Sequence, residues 1–241
     1  MVDHLLTCNT HAQLLFFTDS GKVYESRAYE IPEGSRVSKG RAIFNFLSIN
    51  QQEKITSVLC VPKALKIKKG SRAGATTPLY IVMVTKNGII KKVEAGSFEN
   101  VRKSGLIALT IKSGDALRWA KLTTGGDELI LATQKGQAIR FSEKDVRAMG
   151  RQAAGVISIR LKKGDEVVGM NVIDDSKIKN PNAKMLVISE NGYGKQTLLK
   201  QYKKQRRGGS GIKTAKVTSK TGNVVGARLV TEEATELITI S

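Results

Sequence analysis

Two arginines followed by glycines are the residues here most able to do chemistry. In Gln205-Arg206-Arg207-Gly208-Gly209-Ser210-Gly211, each guanidinium is a permanently charged planar fork that matches phosphate oxygens, and the glycines let the backbone come close to such a group. Lys203 and Lys204 stand just ahead of this string. Taken alone, such a string also describes a flexible basic loop. Enzymatic chemistry finds less support. His4 and His11 are the only histidines, no phosphate-cradling P-loop is present, and no paired carboxylates stand out. His4, Cys8 and His11 could meet at a metal, but their spacing is incomplete and favours ordinary strand and turn roles. No catalytic residue, metal or cofactor is expected in this chain.

The balance of charge asks for an anionic partner. Lys and Arg number 40 against 21 Asp and Glu, a formal charge of +19. Nucleic acid and anionic membrane are the two candidates. Membrane is disfavoured, because no apolar run approaches the roughly 20 residues of a spanning helix and no long basic amphipathic helix stands out. Asp3 and His4 occupy the place where a secretory signal would turn apolar, so a cytoplasmic protein is expected. Cys8 and Cys60 are too few for a disulfide framework and read as strand residues.

The elements that must position these charges repeat along the chain. Four β-rich runs, 14–18, 79–85, 128–133 and 184–189, each lead into a polar pair and a glycine: Gly21, Gly88, Gly136 and Gly192. Such turns join antiparallel strands. A second glycine then opens a further strand, at Gly40-Arg41-Ala42-Ile43, Gly105-Leu106, Gly155-Val156 and Gly211-Ile212, after intervals of 19, 17, 19 and 19 residues. A third turn precedes a closing strand near Ile55, Ala116, Glu166 and Val224. The pattern predicts an all-β, propeller-like array of four-stranded blades over 12–77, 78–126, 127–182 and 183–232. Residues 1–11 and 233–241 would belong to flanking blades, with a closing strand at His4 to Cys8 and an opening one at Glu236 to Ile240. An ordinary sandwich or barrel is the plainer alternative. The segment Lys63 to Thr77 interrupts the rhythm and reads as an exposed basic insertion, either a phosphate contact or merely a solubilising loop.

Cations recur between the two glycines of each repeat: Arg36, Lys39 and Arg41, then Arg102 and Lys103, Arg147 and Arg151, and Lys203 to Arg207. The strand after the first glycine adds Lys22, Lys91, Lys92, Arg140 and Lys195. Equivalent positions in neighbouring blades fall on one rim, and nine basic residues from Lys54 to Lys92, then eight from Tyr193 to Lys216, stand without an acidic one among them. Aromatic residues are only 5% of the chain, and Phe16, Phe17 and Trp119 read as core, which favours duplex over single-stranded nucleic acid. Bending 20 to 30 base pairs by 40 to 90° costs on the order of 1 to 6 kcal/mol, which calls for phosphate contacts spread around a disc rather than one loop.

The string at Gln205 resembles the signature box of the gyrase A C-terminal domain, Gln-Arg-Arg-Gly-Gly-Lys-Gly, with Ser210 at the sixth place. Gly21-Lys22-Val23-Tyr24, Tyr29-Glu30-Ile31-Pro32, Lys39-Gly40-Arg41, Asp145 to Arg151, Gly155-Val156 and Gly192-Tyr193-Gly194-Lys195 are similar to successive blades of that domain. The resemblance implies a β-pinwheel whose neighbouring blades exchange strands. It implies sequence-nonspecific binding of double-stranded DNA around a basic edge, and as protein partners the gyrase B subunit together with the remainder of gyrase A. Gln205, Arg206, Arg207, Gly208, Gly209 and Gly211 would belong to the DNA-binding box, which in the family normally lies in the first blade. Two alternatives stand beside this one: the C-terminal domain of topoisomerase IV, which wraps DNA less, and a propeller serving as a protein-interaction platform.

Overall fold

The computed structural model describes residues 6–35, 37–61 and 78–230. Arg36, His4, the basic insertion at 63–77 and the opening strand expected at 236–240 lie outside the described residues. The chain is nearly all β. The hairpin of β1 (Gln13–Thr18) and β2 (Lys22–Arg27) is followed by a closing strand, β3 (Ile55–Val61). The second repeat has β4 (Tyr80–Thr85), β5 (Ile89–Glu94), a two-residue β6 (Leu106–Ile107) and β7 (Leu117–Thr123). The third has β8 (Glu128–Thr133), β9 (Gln137–Ser142), β10 (Val156–Ile157) and β11 (Val167–Ile173). The fourth has β12 (Lys184–Ser189), β13 (Gly194–Leu198), β14 (Lys204–Gln205), β15 (Ile212–Lys213) and β16 (Val224–Val230). A five-residue helix, α1 (Asp175–Lys179), joins the third and fourth repeats and is N-capped by the Asp174 carboxylate.

The strands make four sheets, and the short ones cross between them. The orders are β3-β1-β2-β6, β7-β4-β5-β10 and β11-β8-β9-β14, with β15 also on β9, and then β16-β12-β13. β6 belongs to the second repeat yet pairs with β2 of the first, Lys22 opposite Ile107. β10 likewise pairs back onto β5, and β15 onto β9. The strand exchange implied by the resemblance is therefore present at three successive junctions.

Two expectations need correction. Gly40 opens no strand: Ile43–Asn45 form a 3₁₀ turn instead. An exchanged strand needs a preceding sheet to receive it, and among the described residues β2 is already taken by β6 and no sheet lies upstream. That stretch covers the first blade instead, where Leu47 and Ile49 pack on Leu14, Phe16 and Tyr24. Residues 6–8, expected to close a blade, are exposed and form no strand, and Cys8 is thus not a strand residue.

Apart from that first-blade cluster, the cores lie between blades rather than within them. Alternate side chains of each inner strand face opposite junctions: Ile81 and Met83 of β4 meet Leu15 and Phe17, whereas Val82 and Val84 meet Leu129, Leu131 and Phe141. Ile130 and Ala132 in turn meet Met185 and Val187. Burial on both faces explains why β8 has all six residues buried and why these runs read as continuously apolar rather than alternating. Each such Leu, Val or Phe contributes roughly 1.5–3 kcal/mol, so adjacent blades stabilise one another and fix the angular spacing of everything they carry.

Candidate nucleic-acid interface

The outermost place in the first three sheets is held by exchanged segments, and the cation-bearing loops run beside them. Ala148 forms a parallel bridge with Lys92 of β5, and Lys204 and Gln205 pair in parallel with Arg140 and Phe141 of β9. From these anchors the two loops keep step residue for residue, so Arg151 corresponds to Arg207 and Gly155 to Gly211. Arg102 and Lys103 stand exposed in the loop leading to β6, and Lys103 lies near enough to Glu30 to help hold that carboxyl below its ordinary value, after the Arg27 backbone and Ser26 hydroxyl hydrogen bonds. Basic loops therefore border the outer strands of three consecutive blades.

Within the box, the two arginines have different fates. Arg206 is exposed, and its side chain makes no hydrogen bond or ion pair among the described residues. Arg207 turns inward: its Nε donates to Asp145 O at 2.8 Å and its Nη1 to Ile157 O at 3.1 Å. The Gly208 N–H donates to Ser158 O at 2.6 Å, and Gly209 bridges Ile159. Gly211, at φ 72°, leaves no room for a side chain, since a Cβ there would stand 2.4 Å from Ala138 O. Gly211 thus lets the loop lie against the third blade's backbone.

The cations expected on the strands after each first glycine divide sharply. Lys91 has 0% exposure; its ammonium donates to Ala108 O at 2.7 Å and to Arg151 O. Burial, with the charge of Arg151 added, lowers its pKa to about 8. Lys92 is buried over the Tyr80 ring and donates to Glu143 O at 2.9 Å. Its salt bridge runs to the Glu143 carboxyl, 3.6 Å away, whose pKa burial raises. Arg140 pairs with Glu128 at 2.6 Å and donates to Leu199 O and Tyr202 O. Lys204 also reaches Glu128, at 3.0 Å, and the bonds from both cations outweigh burial to hold that carboxyl low. Lys22 pairs with Glu53 at 2.6 Å, which raises its own pKa. Lys91, Lys92 and Arg140 are thus structural and turned away from solvent, a correction to their placement on the rim: residues that follow a hairpin turn in a strand buried on both faces face a core. Lys195, on the open edge strand β13, is exposed.

Lys39, Arg41, Arg102, Lys103, Arg147, Lys203 and Arg206 are exposed, and none has a side-chain hydrogen bond or ion pair among the described residues. Sequence reasoning passed over Arg160, exposed three residues after the exchanged β10, whose N–H donates to Gly209 O at 2.8 Å beside the box. Its signal was the equivalent Lys216, four places after Ile212. Of the three residues weighed as metal ligands, Cys8 is exposed and His11 packs edge-on to Tyr29, 5.7 Å between ring centroids. Among the described residues, no helix is long and apolar enough to cross a membrane.

Four interlocked sheets with apolar cores between them define a propeller-like domain. The family model for the DNA gyrase C-terminal domain, a beta-propeller, matches residues 12–62, 79–124, 127–174 and 183–231. The chain belongs to that family. The gyrase A protein of Staphylococcus epidermidis is 40% identical over 232 residues, 96% of this chain but 24% of the relative. The chain thus spans about a quarter of the length of the curated relatives it matches. Two solved structures, each covering 93% of this chain, are similar: the C-terminal domain of DNA topoisomerase IV (TM-score 0.77, 26% identity, 65% of that chain) and the DNA gyrase A C-terminal domain (TM-score 0.73, 29% identity, 68% of that chain).

Proposed function

We propose that this chain binds duplex DNA without sequence preference along the outer edge of its blades and bends it, as part of a gyrase A protein that works with gyrase B in negative supercoiling. The observation that carries this reading is the recurrence of exposed, unpaired cations, Arg102 and Lys103, Arg147, then Lys203 and Arg206, in loops bordering consecutive outer strands. A stiff polyanion is held bent only by contacts distributed along its path, and phosphate contacts spaced by one blade each supply that. Among the described residues no helix presents itself to a groove, so affinity rests on backbone charge and deformability. The topoisomerase IV likeness favours a second reading, with weaker bending.

Relaxing and resealing a plasmid in the presence of the domain separates the two. Full wrapping leaves a large net positive linking-number shift and weaker bending a smaller one, whereas a flat basic platform leaves none. Affinity should also fall steeply with salt; an affinity indifferent to salt would point instead to a protein partner.

A further inference from the structure

The closing strands β3, β7 and β11 sit at the ends of their sheets opposite the exchanged strands, β16 sits opposite β13, and neighbouring closing strands meet one another. Two of their seams are stitched by side chains. Ser57 Oγ donates to Ala120 O at 3.0 Å across β3 and β7, and Asn171 bonds both Ala227 O and Leu229 N at 3.1 Å across β11 and β16. Among the described residues no such stitch joins β7 to β11. There, a cavity of about 330 Å³ opens, lined by Trp119, Lys121, Asn171 and Arg228 among others. That volume lies within the roughly 300–1,000 Å³ typical of small-molecule sites.

The pairing registers place Lys121, Asn171 and Arg228 at one repeated position, opposite Val82, Ile130 and Leu186. Three neighbouring blades therefore present Lys, Asn and Arg toward the same space. Neither the Lys121 nor the Arg228 side chain has a hydrogen-bond or ion-pair partner among the described residues, and the Trp119 indole N–H donates to nothing there. Burial comes first, then Arg228 and Lys177, in holding the Lys121 ammonium below its usual value. Lys177 is itself paired with Asp174 at 2.6 Å. Among the described residues no carboxylate lines the cavity, so the two cations face it without a counter-charge.

We infer that this cavity, on the side of the blades away from the basic loops, binds a compact condensed-phosphate anion between Lys121 and Arg228. Inorganic pyrophosphate and the phosphate chain of a nucleotide share that chemistry. Trp119 is the only tryptophan of the chain, so its emission reports on the site directly.

The 241-residue chain is titrated with pyrophosphate, and separately with magnesium-free ATP, at ionic strength held constant with sodium chloride. A saturable change in Trp119 emission is expected. It should weaken at least tenfold in Lys121→Gln combined with Arg228→Gln, while that variant keeps the wild-type melting temperature and plasmid linking-number shift. Tighter binding of ATP than of pyrophosphate would identify a nucleotide as the source, and equal or weaker binding the bare phosphate chain. An unsaturable change, a change reproduced by sodium chloride, or an equal affinity in the double variant overturns the inference. Arg228→Gln alone, on an exposed residue, keeps the test open should the double variant fail to fold.

Discussion

The loops of the third and fourth repeats solve one problem in opposite ways. Both run from a parallel contact on the preceding blade to a glycine seven residues on, at Gly155 and Gly211, and both meet backbone carbonyls of a neighbouring segment that need a donor. In the third repeat the cation comes from the sheet: Lys91 donates to Ala108 O and to the loop's own Arg151 O. In the fourth, the strand position equivalent to Lys91 is the apolar Ile139, and the loop supplies everything itself. The Gly208 N–H takes Ser158 O, the counterpart of Ala108 O, while Arg207 takes Ile157 O and Asp145 O. A basic residue in these loops is therefore not automatically free for phosphate. The double arginine divides into a clamp and an exposed charge.

The sharpest way to break this comparison is at the third-repeat junction. Lys91→Ala removes the ammonium, leaves the buried Ala108 O and the part-buried Arg151 O without that donor and opens a cavity. About 3–5 kcal/mol of stability should be lost, read as a fall in denaturant midpoint. Lys91→Met keeps the volume and isolates the charge. With a folded pKa of about 8 against the ordinary 10.5, the folded chain releases the Lys91 proton while the unfolded chain still holds it. Wild-type stability, measured relative to Lys91→Met, should therefore rise with pH between about 8 and 10.5, by about 3 kcal/mol at most. A flat difference across that window would mean that the ammonium is not dry.

Gly211 and Gly40 sharpen the same point. They are repeat equivalents with similar φ, 72° and 69°. A Cβ on Gly211 meets Ala138 O at 2.4 Å, whereas on Gly40 it meets nothing within 4 Å. Gly40→Ala should cost only the left-handed backbone penalty, about 1–2 kcal/mol. Gly211→Ala should exceed that and loosen the box as well, seen as faster amide exchange at Ile212 and Gly208. Equal costs would show that Gly211 is not pressed against the neighbouring blade.

These contrasts also mark what the sequence could convey. Strand runs, turn glycines and closing strands were legible because period and turn chemistry are local. Gly40 misled for the opposite reason: it carries the signal of an exchanged strand, but pairing depends on a neighbouring sheet, which no local pattern encodes. Likewise Lys91, Lys92 and Arg140 read as rim charges because alternation in a strand does not reveal that both faces are buried. The ion pairs that consume Lys22 and Arg140 join residues 31 and 12 positions apart in sequence, beyond the reach of any spacing rule. The box was found by its composition, yet the division of labour between Arg206 and Arg207 belongs to tertiary geometry alone.

That division yields the prediction with the smallest stability effect and the most direct bearing on DNA. Arg207→Ala should cost about 0.5–1.5 kcal/mol, because Asp145 O and Ile157 O lose a charged donor but remain open to water. Arg206→Ala should leave stability within about 0.5 kcal/mol, as expected for an exposed side chain without a partner. On DNA the order reverses. Arg206→Ala should weaken binding uniformly across sequences and lower the salt slope by about 1, the signature of one lost phosphate contact. Arg207→Ala should instead lower affinity through displacement of the loop, with a smaller change in slope and partial rescue in Arg207→Lys, whose single ammonium reaches one carbonyl but cannot bridge two. If both alanine variants lose affinity and slope alike while stability stays intact, Arg207 contacts phosphate and the clamp reading fails.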